Sequence, residues 1–399
     1  PSLLDMSEGS VIWLCVWSIG IIGIIYAIFG GLKAVAVSDL INAIGLLIGG
    51  LLIPYFGLKL IGNGSVGDGL SILWTENQDK FDVTGDVTSS IPVGTIFTGM
   101  MIAQMYYWGT NQSILQRVFG AKSLKEGQKG VMLAAFVKFL IPVIVVLPGI
   151  IAWNVFDGNL ESADKAYPQL VKEVLPPALV GFFAAVLFGA VLSSFNSLLN
   201  SSATLFGFDL YKKFFNSEAS EHRAVKAGKY FGLGLALVSM TIAPFIANAP
   251  AGLFDYIQQA LGSLSVPILA VVLVGILTKK VPAIGAKIVL IAGVIMYVCT
   301  IFMRPIFQEA ALTEAASNGI TDAAELAIIK AEAFPHFLHV MGILFVVNIV
   351  IMLIVGAMKP KTDVYVPTQT QAIDTTPWKY AYVVGILITL LVLSTYLIF

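Results

Sequence analysis

Apolar runs of about twenty residues recur along this chain, and the short stretches between them hold nearly all of its charge. Runs of that length can cross a bilayer as helices, which satisfy every backbone hydrogen bond internally. The pattern is that of an all-α polytopic membrane protein. Only 12% of the 399 residues are charged, where a soluble domain carries about 25%, so an ordinary soluble globule is excluded.

Windows of about 19 residues place ten spans, at 11–30, 38–61, 91–116, 131–155, 178–210, 229–249, 254–277, 283–303, 336–358 and 377–398. Charge sorts the connecting stretches into two alternating sets. One holds sixteen of the 23 basic residues, including Lys33, Arg117, Lys122, Lys212, Lys280 and Lys359; the other, with Lys59 counted at a span end, holds six. The positive-inside rule puts the first set inside, so the first span enters from outside and the C-terminus lies outside a plasma or inner membrane. The opposite loops carry acidic groups such as Asp68, Asp82 and Asp86, which read as a solvated surface. The Ala- and Glu-rich stretch 304–334 is expected to form an outer amphipathic helix. No linker or composition shift divides the chain, so 1–399 reads as one membrane domain. A net charge of −1 gives nucleic acid no basic field. Cys15 and Cys299 both fall in apolar runs and read as small hydrophobes. Oligomeric state is not legible. The chain begins at Pro1 with no signal-peptide pattern and is expected to be a piece of something longer.

Polar side chains inside spans are costly unless partnered, so function is sought where they cluster. Span 91–116 is interrupted by Gln104-Met105-Tyr106-Tyr107-Trp108-Gly109-Thr110-Asn111-Gln112, ahead of a basic end at Arg117. A glycine among so many hydrogen-bonding groups points to a broken helix facing a cavity; the alternative is an interfacial aromatic belt. In span 178–210, Ala190, Ser193, Ser194, Ser197 and Ser201 share one helical face. Such a stripe serves either close helix packing or a hard cation such as sodium, held by neutral oxygens without a carboxylate. Lys138 lies within span 131–155, where an embedded ammonium demands a partner, and Gln258 with Gln259 opens span 254–277. Asp39, at the inner end of span 38–61, is a helix cap or an ion-exit acid.

No G-x-x-x-x-G-K-[ST] run supports ATP-driven pumping, and no activated nucleophile or zinc motif is present, so an enzyme is not indicated. His336 and His339 have metal-compatible spacing but no third ligand nearby. Gly45 and Gly49 form a GxxxG pair, a mark of close helix contact.

At these residues the chain resembles a known family. Tyr106 through Gln112 followed by Gln116-Arg117, then Ala121-Lys122-Ser123 and Gln128-Lys129-Gly130, are similar to the sodium/solute symporter family, in its sodium/glucose and galactose branch. Tyr26 through Gly31 with Ser38-Asp39, Ala134 through Lys138, Val145 through Gly149, Leu192-Ser193-Ser194, Asp209 through Lys212 and Tyr256-Ile257-Gln258 extend the likeness over essentially the whole chain.

The resemblance implies the LeuT-type inverted-repeat fold, in which two helices are broken around a midplane site. It places the first span as the fourth core helix, span 91–116 as the second broken helix and span 178–210 as the helix supplying sodium hydroxyls. The first core helices are expected to be missing, so these residues alone should not transport. It further implies that the Ala190 carbonyl and the Ser193 and Ser194 hydroxyls bind co-transported sodium, with no organic cofactor. Gln104, Tyr107, Lys138 and Gln258 would hold a sugar, Tyr107 and Trp108 would form a gate, and Asp39 would line the ion exit. Where the sugar branch has Asn, this chain has Gln104, one methylene longer. The implied activity is sodium-coupled uptake of a glucose- or galactose-like sugar by alternating access. The rivals are symport of another small solute (an inositol, vitamin, carboxylate or amino acid) and a symporter-like sensor.

Overall fold

The computed structural model describes residues 7–89, 91–160, 162–246, 253–361 and 373–398. Among them the regular structure is helical: α1 (Glu8–Ile61), α2 (Val66–Glu76), α3 (Gly99–Gly109), α4 (Gln112–Phe119), α5 (Leu124–Lys138), α6 (Leu147–Val155), α7 (Ala163–Val174), α8 (Pro177–Thr204), α9 (Glu221–Ile246), α10 (Leu253–Leu277), α11 (Ala283–Ser317), α12 (Ala323–Glu332), α13 (Phe337–Met358) and α14 (Ala381–Ile398). Short 3-10 turns occupy Gln78–Phe81 and Val93–Phe97, and π-helical stretches occupy Pro142–Val146 and Leu205–Phe215.

Eight stretches among the described residues are long and apolar enough to cross a membrane, and they take in eight of the ten expected spans. The ninth, 377–398, becomes α14, whose apolar part is shorter. The tenth, 91–116, is the interrupted one, as the run of polar residues around Gly109 suggests.

Two local expectations are corrected. Spans 11–30 and 38–61 were to be joined by a loop at Lys33, but the backbone runs through as the single helix α1. No proline stands between them, and two adjacent glycines do not remove a backbone donor, so the hydrogen-bond ladder continues. The stretch 304–334 is not one helix either. Its first half prolongs α11 to Ser317, and Gly319, with φ +76°, turns the chain before α12. Glycine, with no Cβ, adopts that backbone without strain.

The described residues fall into two compact units. The first draws on Pro1–Phe81, Gln116–Leu253 and Thr375–Ile398. Its principal pairing is α1 along α8. Lipid is as apolar as a leucine, so helices associate there by close packing of small residues. A Cβ on Gly45 would stand 2.8 Å from Val186, and one on Gly49 would stand 2.7 Å from Phe183. From the other side, Gly189 of α8 meets Asn42, whose Nδ2 donates to the Gly189 carbonyl at 3.0 Å. The GxxxG pair thus does what its spacing implies. Further along, Ile53, Leu73, Ile151, Leu170 and Phe183 form a buried core shared by α1, α2, α6, α7 and α8.

The second unit comprises Asp82–Leu115 and the described part of Phe254–Asp374. Ile102, Val266, Leu269, Leu338 and Met341 pack α3, α10 and α13 together. A Cβ on Gly99 would lie 2.1 Å from the Leu338 carbonyl oxygen, so the start of α3 is pressed against the first turn of α13. Beside it, Thr98 Oγ1 and His339 Nδ1 are hydrogen-bonded at 3.0 Å. Between α10, α11 and α13 lie two stacked layers, Gly262–Tyr297–Met341 and Pro267–Gly293–Asn348. The Tyr297 hydroxyl and the Asn348 amide are buried in them without a hydrogen-bond partner among the described residues.

Candidate functional site

The serine face of α8 is graded by depth. Ser197 and Ser201 are buried, Ala190 and Ser193 half-buried, and Ser194 exposed. Because α1 and α8 approach closely near Gly189, the next turn of α1 brings Asp39 against that face. Ser193 donates its hydroxyl proton to Asp39 Oδ1, and Ser197 donates to the Ser193 carbonyl at 2.7 Å. A hydroxyl has one proton and two lone pairs. With the Ser193 proton committed to a carboxylate, its oxygen keeps its electron pairs as acceptors.

Arg117, at the end of α4, completes the cluster. Its Nε donates to Asp39 Oδ2 at 3.2 Å, and its Nη2 donates to the same oxygen and to Ser197 Oγ. The preceding Gln116 donates to the Ser197 carbonyl at 3.3 Å and accepts from Asn200 at 3.3 Å. The hydroxyl stripe is therefore not served by neutral oxygens alone, as the sequence reading has it. A carboxylate touches Ser193, and a guanidinium balances its charge. Next to these, the side chain of Asn196 is 1% exposed, and neither end of its amide finds a partner among the described residues.

The break between α3 and α4 has a local cause. Gly109 ends α3, and the Thr110 and Asn111 amides both turn back to the Tyr106 carbonyl, at 2.9 and 3.1 Å. Asn111 Oδ1 then accepts from the Ser113 amide at 2.9 Å and the Ser113 hydroxyl at 2.7 Å, which caps the start of α4. On α3, Gln104, Tyr107 and Trp108 stand at helical spacing. Trp108 Nε1 donates to Gln104 Oε1 at 3.1 Å, and the Tyr107 and Trp108 rings meet edge to face at 5.4 Å. All three side chains are exposed, with Tyr107 at 42%.

Lys138 is an exposed residue at the last turn of α5, where Pro142 four positions on cannot donate to its carbonyl and the helix passes into a π turn. Gln258 is half-buried near the start of α10. The structure thus joins Asp39 to Ser193 and Gln104 to Trp108; Lys138 lies on α5, Ala190 and Ser194 on α8, and Gln258 on α10. Arg117 and Gln116 were read only as a basic span end and a motif. A signal did exist: Asp39 and Arg117 are opposite charges at the inner ends of two different spans.

Apolar helices interrupted at polar residues, with a hydroxyl-bearing helix closed by a partly buried charge pair, are the features of a membrane transporter of the broken-helix class. The model of the sodium:solute symporter family matches residues 2–293, and the chain belongs to that family. It is 40% identical over 393 residues to an uncharacterised symporter, YidK, of Escherichia coli (strain K12), a match covering 98% of this chain and 64% of that protein. It is 34% identical to the sodium/glucose cotransporter of Vibrio parahaemolyticus over 73% of this chain and 57% of that one. Among solved structures, the substrate-bound outward-open state of a Na+-coupled sialic acid symporter matches with a TM-score of 0.62 at 18% identity, covering 90% of this chain and 69% of that one. That likeness is one of fold. The chain spans about three fifths of the length of the curated relatives it matches. The family and these relatives are transporters, not enzymes.

Proposed function

We propose that the complete protein is a sodium-coupled symporter that takes up a glucose- or galactose-like sugar by alternating access, and that residues 1–399 form a single transmembrane domain of it. The observation that carries this reading is the state of Ser193: its proton is held by Asp39, which leaves its oxygen as a cation ligand beside the Ala190 carbonyl and the Ser194 hydroxyl. Sodium is the co-transported ion, and Asp39 lines its way out. Gln104, Tyr107, Lys138 and Gln258 supply the amides, ring face and ammonium that suit a polyhydroxylated solute, with Tyr107 and Trp108 as the gate. The protein sits in the plasma or inner membrane with its C-terminus outside.

One sodium ion moving down 100 mV releases about 2.3 kcal/mol, enough for roughly a fifty-fold solute gradient. No hydrolysis is needed, provided sodium and solute bind one state better than the other. The second reading, symport of another small solute such as an inositol, is favoured by Gln104, whose longer side chain reshapes the pocket relative to the sugar branch. Uptake of labelled glucose and galactose into vesicles bearing the complete protein tests both readings. Sodium-dependent uptake that unlabelled sugar abolishes supports the first. Uptake displaced only by inositol supports the second, and no sodium-dependent flux of any of these solutes overturns both.

A further inference from the structure

Arg117 stands six residues beyond Asn111, at the far end of an eight-residue helix whose start is the break in the span. From that short helix two successive side chains reach α8: Gln116 meets the Ser197 carbonyl and Asn200, and Arg117 meets the Ser197 hydroxyl. Arg117 also grips Asp39 on α1, and Asp39 holds the proton of Ser193. Across the break, α3 carries Gln104, Tyr107 and Trp108. The boundary between the two compact units falls within α4 itself, between Leu115 and Gln116. The residues assigned to sodium and the α3 residues assigned to solute and gate are therefore linked along the chain by one short helix, and the sodium side of that helix is fastened by the charge pair.

From this we infer that Asp39 and Arg117 form a latch through which sodium occupancy at Ser193 is read by the broken helix. Both act as positioning residues for solute binding. The inference rests on the sodium-symport reading above. Its physics is that of a shared proton. A cation on the Ser193 oxygen polarises the hydroxyl and strengthens its donation to Asp39, fixing the carboxylate where Arg117 meets it. Without the ion, the Ser193 hydroxyl can turn to the Gly189 carbonyl one helical turn back, the usual alternative for a helical serine. Asp39 then loses a donor, and the tie from α8 through Asp39 to α4 slackens. A ligand shifts an equilibrium only by binding its two states differently, and this network supplies the difference.

The test measures binding of labelled glucose or galactose to the complete protein in nanodiscs, with and without saturating sodium. The readout is the ratio of the two affinities. In Arg117→Gln and in Asp39→Asn that ratio should collapse toward one, a loss of about 5- to 150-fold, the usual range of coupling between sites. Binding of radioactive sodium should persist in Arg117→Gln, which leaves the Ser193–Asp39 contact in place. The double variant should behave like either single variant, because one latch is broken in each. An unchanged ratio in both single variants overturns the latch. So does an equal fall of sugar affinity with and without sodium, which marks a merely structural role. If Arg117→Gln fails to fold, Arg117→Lys keeps the charge but not the two-nitrogen grip, and a wild-type ratio in it is equally fatal. Absence of sodium-dependent binding in the unmodified protein instead overturns the symport reading, and the latch with it.

Discussion

Two nitrogens of Arg117 converge on one carboxylate oxygen of Asp39, Nε at 3.2 Å and Nη2 at 2.5 Å. The side chains are 34% and 18% exposed respectively, so the pair is partly screened by solvent. Deleting one member of a fully buried pair costs about 3–5 kcal/mol; here the cost of Arg117→Ala should be nearer 2 kcal/mol. Removing both partners should cost less than the sum of the single losses, since neither charge is then left alone. Thermal unfolding of the three variants in detergent checks this, and additive losses would show that the two residues do not share one interaction.

The ion and solute assignments separate by their kinetics. Ser194→Ala in the complete protein should raise the sodium concentration for half-maximal uptake about five- to tenfold, the effect of one lost polar contact. Gln258→Ala should weaken sugar binding more than sodium binding. Equal weakening of both would mark a folding defect rather than a lost solute contact.

Close approach of α1 to α8 should be intolerant of one added methyl group. Gly45→Ala places a Cβ 2.8 Å from Val186, a β-branched side chain with little freedom to turn away. A loss of about 1–3 kcal/mol is expected, the usual cost of overpacking. Pairing it with Val186→Ala should restore part of the stability, and no recovery would mean the strain arises elsewhere.

In the acidic loop, Asp86 accepts hydrogen bonds from the amides and hydroxyls of Thr88 and Ser89, which hold its pKa below the usual 3.8, the Thr88 hydroxyl foremost. A lowered folded-state pKa means that this turn is fully stabilised above the ordinary value and loses that support as pH falls through the lowered one. Amide exchange at Thr88 and Ser89, referenced to the intrinsic rate, should lose protection as pH falls below the ordinary 3.8 and through the lowered value. Asp86→Asn should flatten the profile, and an unchanged acid dependence in it would point to another group.

The break after Gly109 was legible because its cause is local: glycine, threonine and asparagine in a row end one helix and cap the next. The spans were legible for the same kind of reason, since a stretch that crosses lipid must be continuously apolar. What escaped was set at a distance. Asp39 and Arg117 are 78 residues apart, and nothing in either segment's own pattern says that they meet. The charge of Lys33 suggested a loop, but a helix needs no outside partner to continue, and α1 does so. At 304–334, composition gave the helical character correctly, and a single glycine, Gly319, decided where it turns.

The stacked layers between α10, α11 and α13 have a consequence for motion. Each keeps a polar head, the Tyr297 hydroxyl or the Asn348 amide, away from any acceptor or donor among the described residues. An unmet group of this kind disfavours the arrangement that contains it by about 1–3 kcal/mol. Any sliding or rotation of the three helices that admits a water molecule, or swings either head onto a neighbour, recovers part of that energy. Among the described residues, the seam is thus held by shape rather than by bonding of these two heads.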